Sequence, residues 1–145
     1  MTTDTFTKTG DKQFDFWLIN NSKDWAIIPA GTIEGFDEDL PIRLQVGNKG
    51  FGQKHIEFRH GHWLKKIKKT VQEALATKLG QSGSVYTTEE DGKLKIMMRV
   101  SPDSLLVIRY VPNRQGSFFT VVSLYYKNER VDGDYVGRYL STFKC

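Results

Sequence analysis

The chain has 145 residues, 39% of them hydrophobic and 12% aromatic, which suits one domain with its own core and excludes a disordered segment. A formal charge of +4 and a pI near 9.1 are compatible with an anionic partner, but a few surface lysines suffice to produce them. The sole cysteine, Cys145, excludes an intrachain disulfide framework or a cysteine-based zinc site, and no apolar run reaches membrane-spanning length, so a soluble protein with no membrane partner is expected.

Residues 1–13 read as a polar lead-in; Met1 to Asp11 is rich in Thr and Asp and has no apolar stretch of the kind a secretory signal needs. Phe14–Ile19 and Trp25–Ile28 are short apolar runs split by the turn residues Asn20, Asn21 and Ser22. Ile42–Val46 alternates strictly and stops at Gly47, which predicts a half-buried strand. After Gly47-Asn48-Lys49-Gly50, residues 51–60 are expected to be helical, with a break at Gly61. Trp63–Leu79 carries Leu64, Ile67, Val71, Leu75 and Leu79 at helical spacing, which predicts a second helix stopped by Gly80. Ser84–Thr88, Leu94–Val100, Ser104–Val111 and Ser117–Tyr126 follow, separated by Asp91-Gly92, by Ser101-Pro102-Asp103 and by Asn113-Arg114-Gln115-Gly116, and they read as an antiparallel meander. Asp132-Gly133 then introduces Tyr135–Phe143, an expected edge strand. The fold expected is α+β: two helices packed on a four- to five-stranded antiparallel sheet, with a short N-terminal β-rich extension, residues 14–145 forming a single domain.

All three histidines, His55, His60 and His62, fall within eight positions, and imidazole is the side chain suited to taking and giving protons near neutrality. At about 100° per residue, His55 shares a face with Phe51 and Phe58, so His55 is expected to point toward the sheet. His60 falls beside Ile56 and next to Gly61, where the helix dipole favours its charged form. A half-buried structural histidine accounts for His55 equally well. A zinc site built from the three would need a carboxylate or a fourth histidine; only Glu57 is near and the spacing fits no zinc pattern, so no metal is expected.

The third reading is acid–base catalysis on RNA, which needs a base for the 2′-hydroxyl, an acid for the 5′-oxygen and donors around the phosphorane. His55, Arg59 and His60 on the helix, Lys95 and Arg99 on one strand, and Ser123 and Tyr125 on a later strand offer these groups. Each strand pair is an even number of residues apart and shares a face, which is equally the pattern of a solvated or a core face. Lys54 and the block Lys65, Lys66, Lys68, Lys69 read either as a solvated helix face or as a phosphate-contacting ridge whose affinity falls with salt. Trp17, Trp25 and Trp63 can stack bases but are expected in the core.

Phe51, Gly52, His55, Ile56, His60 and Gly61, with Arg59 before the second histidine, followed by a second helix, four strands and the run Phe119-Thr120-Val121-Val122-Ser123-Leu124-Tyr125, resemble the barnase–EndoU–colicin–RelE superfamily of metal-independent RNases, in its phage, polyvalent-protein and polymorphic-toxin branch. The resemblance covers about residues 42–126, and Ser123 stands where threonine is usual, keeping the hydroxyl. It implies His55 as general base or acid, His60 as helix-end partner, and Arg59 as a phosphate contact; Lys54, Lys65 and Lys66 are candidate substrate contacts from the basic ridge alone. Arg99 or Lys95 would stabilise the transition-state charge, and Ser123 and Tyr125 would orient phosphate or ribose. It further implies a toxin-like endoribonuclease without cofactor that leaves a 2′,3′-cyclic phosphate, with tRNA as the substrate class, a cytoplasmic site of action after delivery into a target cell, and an acidic immunity or antitoxin partner. Two alternatives stand beside it: a non-catalytic RNA- or protein-binding module on the same scaffold, and an ADP-ribosyltransferase-like toxin. The latter lacks an Arg, Ser-Thr-Ser and Glu-x-Glu series, which Glu89-Glu90 does not supply.

Overall fold

The structure, a computed structural model, describes residues 4–81, 83–100, 104–126 and 133–142. Cys145, Phe143, Asp132 and the Ser101-Pro102-Asp103 turn lie outside the described residues. In chain order the elements are β1 (Phe6–Lys8), β2 (Phe16–Ile19), β3 (Ala26–Ile28), β4 (Leu40–Gln45), α1 (Gly52–Ile67), α2 (Val71–Leu79), β5 (Ser84–Glu90), β6 (Lys93–Val100), β7 (Ser104–Val111), β8 (Phe118–Tyr126), β9 (Asp134–Arg138) and β10 (Leu140–Ser141).

The architecture overturns the expected two-helix layer on a four- to five-stranded antiparallel sheet. Ten strands join one mixed sheet, in the order β1-β2-β4-β8-β7-β6-β5-β9, with β3 bridging β4 and β10. The cause is β4. One edge pairs in parallel with β8 through Ile42↔Phe119 and Arg43↔Thr120. The other edge is divided between β3, opposite Leu40 to Ile42, and β2, opposite Leu44 and Gln45. The N-terminal segment therefore continues the sheet, and even the polar lead-in supplies an edge strand, β1, paired with β2. Strands of three residues are too short to show alternation, and a parallel pair of such sequence separation leaves no local signature.

The meander of β5 to β8 forms inside this larger sheet. Asp91 and Gly92, at φ 54° and 75°, close the β5–β6 hairpin between the pair Glu90↔Lys93, the conformation a two-residue turn matched to strand twist requires. The tail splits: β9 pairs with β5 as the far edge strand, and β10 returns to β3.

The helices divide at a different place than Gly61. A glycine inside a helix costs about 1 kcal/mol relative to alanine but removes no hydrogen bond, and α1 runs through it to Ile67. The stop is Lys68, left-handed at φ 55°, whose N–H donates back to the Leu64 and Lys65 carbonyls. Thr70 then opens α2 with a reciprocal cap: its hydroxyl accepts the Glu73 N–H at 3.1 Å while the Glu73 carboxylate accepts the Thr70 N–H at 3.0 Å. Gly80 follows the last residue of α2, as its position in the sequence indicates.

The main core is continuous from Trp25, Ile42 and Leu44 through Ile56, Leu75 and Leu79 to Met98, Phe119 and Leu124, with Trp17 and Trp63 half-buried at its margin. One polar contact crosses it. Buried Thr120 donates its hydroxyl to Gln45 Oε1 at 2.7 Å, tying β8 to β4 beside their short parallel ladder, and Gln45 Nε2 donates to the Phe14 carbonyl at 3.1 Å. Thr120→Val keeps the volume and leaves the Gln45 oxygen short of a donor, so a loss of about 1–3 kcal/mol is expected. Urea denaturation with an unchanged slope and a lower midpoint would establish it.

Candidate active site

Along α1, Ile56 and Leu64 are buried, and His60 lies midway between them at four-residue steps. That row faces inward, and it carries His60, rather than His55, onto the sheet. The expected Phe51–Phe58 face does not form. Phe51 is buried as the residue that opens the helix, stacked with Phe14 at 6.0 Å and under the Arg109 guanidinium at 5.6 Å. Phe58 is 61% exposed, with the Lys49 ammonium 5.0 Å from its ring. A cation over the ring face makes that exposure tolerable.

The sheet meets His60 through a register shift. Phe119 and Val121 are core residues of β8, and plain alternation would send Ser123 and Tyr125 into the same core. Between Val107 and Ile108 the β7–β8 ladder slips, so that Ile108 opposes Val121 and Val107 opposes Ser123. The extra residue hands the core position to Leu124 and turns Ser123 and Tyr125 to the other face. There the Ser123 hydroxyl sits 3.3 Å from His60 Nε2, and the Tyr125 ring lies 5.4 Å from the imidazole at 23°. His55 stands edge-on to His60, ring centroids 6.2 Å apart.

His55 Nδ1 lies 2.6 Å from the Lys49 carbonyl. A carbonyl only accepts, so Nδ1 carries the hydrogen and Nε2 is the nitrogen left to exchange a proton. Burial holds the His60 pKa below the ordinary imidazole value, with smaller contributions from the charges of His55 and Arg59. His60 is therefore neutral at physiological pH, the form a base requires. This reverses the expectation that a helix-end dipole favours its charged form, because His60 lies within α1 rather than at its end.

The other candidate residues disperse around this cluster. Lys95 and Arg99 share one face of β6, as expected. The registers Met97↔Val107↔Ser123 and Arg99↔Leu105↔Tyr125 show that it is also the face of the two β8 residues. Arg99 thus lies two strands from Tyr125, about 10 Å at the usual strand spacing. Lys95 pairs with Glu90 at 3.0 Å, and both line a cleft of about 310 Å³ with Tyr125, Met97 and Leu105. Arg59 is exposed on α1, close enough for its charge to act on His60. Lys54, Lys65 and Lys66 are exposed. Lys54 acts electrostatically on Asp11, and Lys65 lines a separate cavity with His62 and Leu64. His62, also exposed, is not part of the cluster.

Sequence reasoning passed over two participants: the Lys49 carbonyl, which no side-chain pattern reveals, and Glu90, whose place beside Lys95 follows from the Asp91-Gly92 hairpin. Comparison with protein-family models, with curated proteins and with solved structures finds no match to this chain.

Proposed function

We propose that the chain is a metal-independent endoribonuclease of toxin type, with His60 as general base and His55 as general acid. The observation that carries this reading is the His60 imidazole, held neutral and set against the Ser123 hydroxyl and the Tyr125 ring with a second imidazole beside it. His60 takes the proton of a ribose 2′-hydroxyl, and the oxygen attacks the adjacent phosphorus. The P–O5′ bond breaks, and protonated His55 gives its proton from Nε2 to the leaving 5′-oxygen. The products are a 2′,3′-cyclic phosphate and a free 5′-hydroxyl.

Ser123 orients the His60 ring through Nε2, and Tyr125 offers an aromatic face to a neighbouring ribose or base. Arg59 supplies positive charge to the phosphate from the helix side, and Lys95 and Arg99 from the sheet. The choice of tRNA and an acidic neutralising partner rest on the resemblance of residues 42–126 to the toxin RNases.

Incubation with total RNA in the presence of EDTA tests the proposal. Cleavage is expected to persist with the chelator and to yield cyclic-phosphate ends. Binding that weakens with salt, without cleavage of any RNA, would replace it with the non-catalytic module.

A further inference from the structure

The proposed cleavage delivers the leaving 5′-oxygen to His55, and an exposed aromatic ring stands beside that imidazole. Phe58 follows His55 by three residues on α1, which makes the two side chains neighbours on the helix surface, and a helical side chain leans back over the turn before its own. Lys49 joins them. Its carbonyl holds His55 Nδ1 at 2.6 Å, and its ammonium lies 5.0 Å from the Phe58 ring. We propose that Phe58 and Lys49 form a subsite for the nucleotide on the leaving side of the scissile bond, with Phe58 stacking on its base and Lys49 meeting its 3′-phosphate.

This flank is the leaving one because His55 is the acid, so the subsite rests on that reading. With Nδ1 tied to Lys49, the 5′-oxygen approaches Nε2, and the ribose and base that carry it come to the surface of α1 around His55. Phe58 is the exposed ring of that helix, at 61%, whereas Trp63 packs against the core. Tyr125, stacked on His60, stands instead beside the nucleotide that supplies the attacking hydroxyl. Each nucleotide at the bond thus has one ring, on the side of its own histidine.

A base that stacks on Phe58 takes the ring out of water, and every base has a π face, so the subsite accepts any of the four. Lys49 is exposed and has no carboxylate partner among the described residues, which leaves its charge available to a phosphate. The flexible lysine stem lets the ammonium leave the ring face as a base takes that place.

Oligonucleotides with one ribose in a deoxy strand confine cleavage to a single bond, and the leaving nucleotide is given either adenine or no base. Wild-type kcat/KM is expected to fall about fivefold or more when the base is removed, the lower end of what stacking on one ring supplies. Phe58→Ala should lose as much on the adenine strand and nothing further on the abasic one, while Phe58→Trp keeps the preference. Lys49→Gln, which leaves the carbonyl on His55, should lower kcat/KM only for strands that continue past the leaving nucleotide by a phosphate. All-deoxy strands, which lack the attacking hydroxyl, repeat the comparison as binding, read by the fluorescence anisotropy of a dye-labelled strand. A base-dependent loss of binding in Phe58→Ala, with no RNA cleaved by the wild type, would keep the subsite as a strand contact and remove the cleavage reading. Equal effects of folded Phe58→Ala on the adenine and abasic strands, or no effect on either, would overturn the subsite even where the His60 chemistry stands. Neither binding nor cleavage of any strand by the wild type would overturn both.

Discussion

Replacing His60 with alanine is expected to lower RNA cleavage by about 10²–10⁴-fold, the range for loss of a positioned general base, while His62→Ala leaves it unchanged. The two histidines are two residues apart on one helix, so overall charge and helix propensity change alike in both variants. Only His60 touches Ser123 and Tyr125. The pH profile separates a base from a structural ring. Since burial, His55 and Arg59 all depress the His60 pKa, kcat/KM should rise with pH through a midpoint below 6.5. Arg59→Gln and His55→Gln should each move that midpoint upward. Neither should restore the ordinary value, because burial is the larger cause. Stability follows the same sign. The unfolded chain protonates at His60 before the folded chain does, so folding stability declines as pH falls from about 6.5 through the lowered folded value, and His60→Ala flattens that decline. An unshifted acid limb in Arg59→Gln, together with near-normal cleavage in His60→Ala, would remove His60 from the chemistry.

The error over His55 and His60 has a physical origin. Phe51 and Phe58 outweigh Ile56 in apolar area, so a reading that follows the largest side chains turns the helix the wrong way. The smaller row Ile56-His60-Leu64 decides the orientation because its four-residue steps stay on one side for more than two turns, whereas Phe58 lies exposed beside the Lys49 cation. The helix break is legible in the sequence: Thr70-Val71-Gln72-Glu73 has the spacing of a reciprocal cap, a stronger start signal than Gly61 is a stop. The hairpin at Asp91-Gly92 and the end of α2 at Gly80 were readable because turn and cap chemistry are local. The bulge opposite Val107 and Ile108 and the parallel pairing of β4 with β8 were not. Both are set by tertiary registry between segments far apart in sequence, and the bulge alone decides whether Ser123 faces the core or the histidine.

Gly47→Ala is expected to be the most damaging small substitution near the site. Gly47 sits at φ 76°, where an added Cβ would overlap the Phe51 carbonyl oxygen, and Gly52, at φ 78°, holds the next position, 2.7 Å from the Gln45 carbonyl for the same added atom. Between them Asn48 and Phe51 pair through their backbones, and Asn48 Oδ1 accepts the Gly50 N–H at 2.7 Å, making the tight turn from which α1 departs. The Lys49 carbonyl that orients His55 belongs to the same turn. The left-handed conformation alone costs an alanine about 1–2 kcal/mol, and displacing backbone atoms adds to it, so a loss above about 2 kcal/mol is expected. Gly31 is the matched control: at φ 79° it carries the same conformational cost, but an added Cβ meets nothing within 4 Å. Denaturation midpoints and cleavage rates of the folded fractions should therefore diverge between the two variants. Gly31→Ala should lose only the conformational part of the stability and keep its rate, whereas Gly47→Ala should lose more stability and most of its cleavage. Equal behaviour of the two would mean that the turn does not set the imidazole geometry, and that the position of α1 comes from the packing of Ile56 and Leu64 alone.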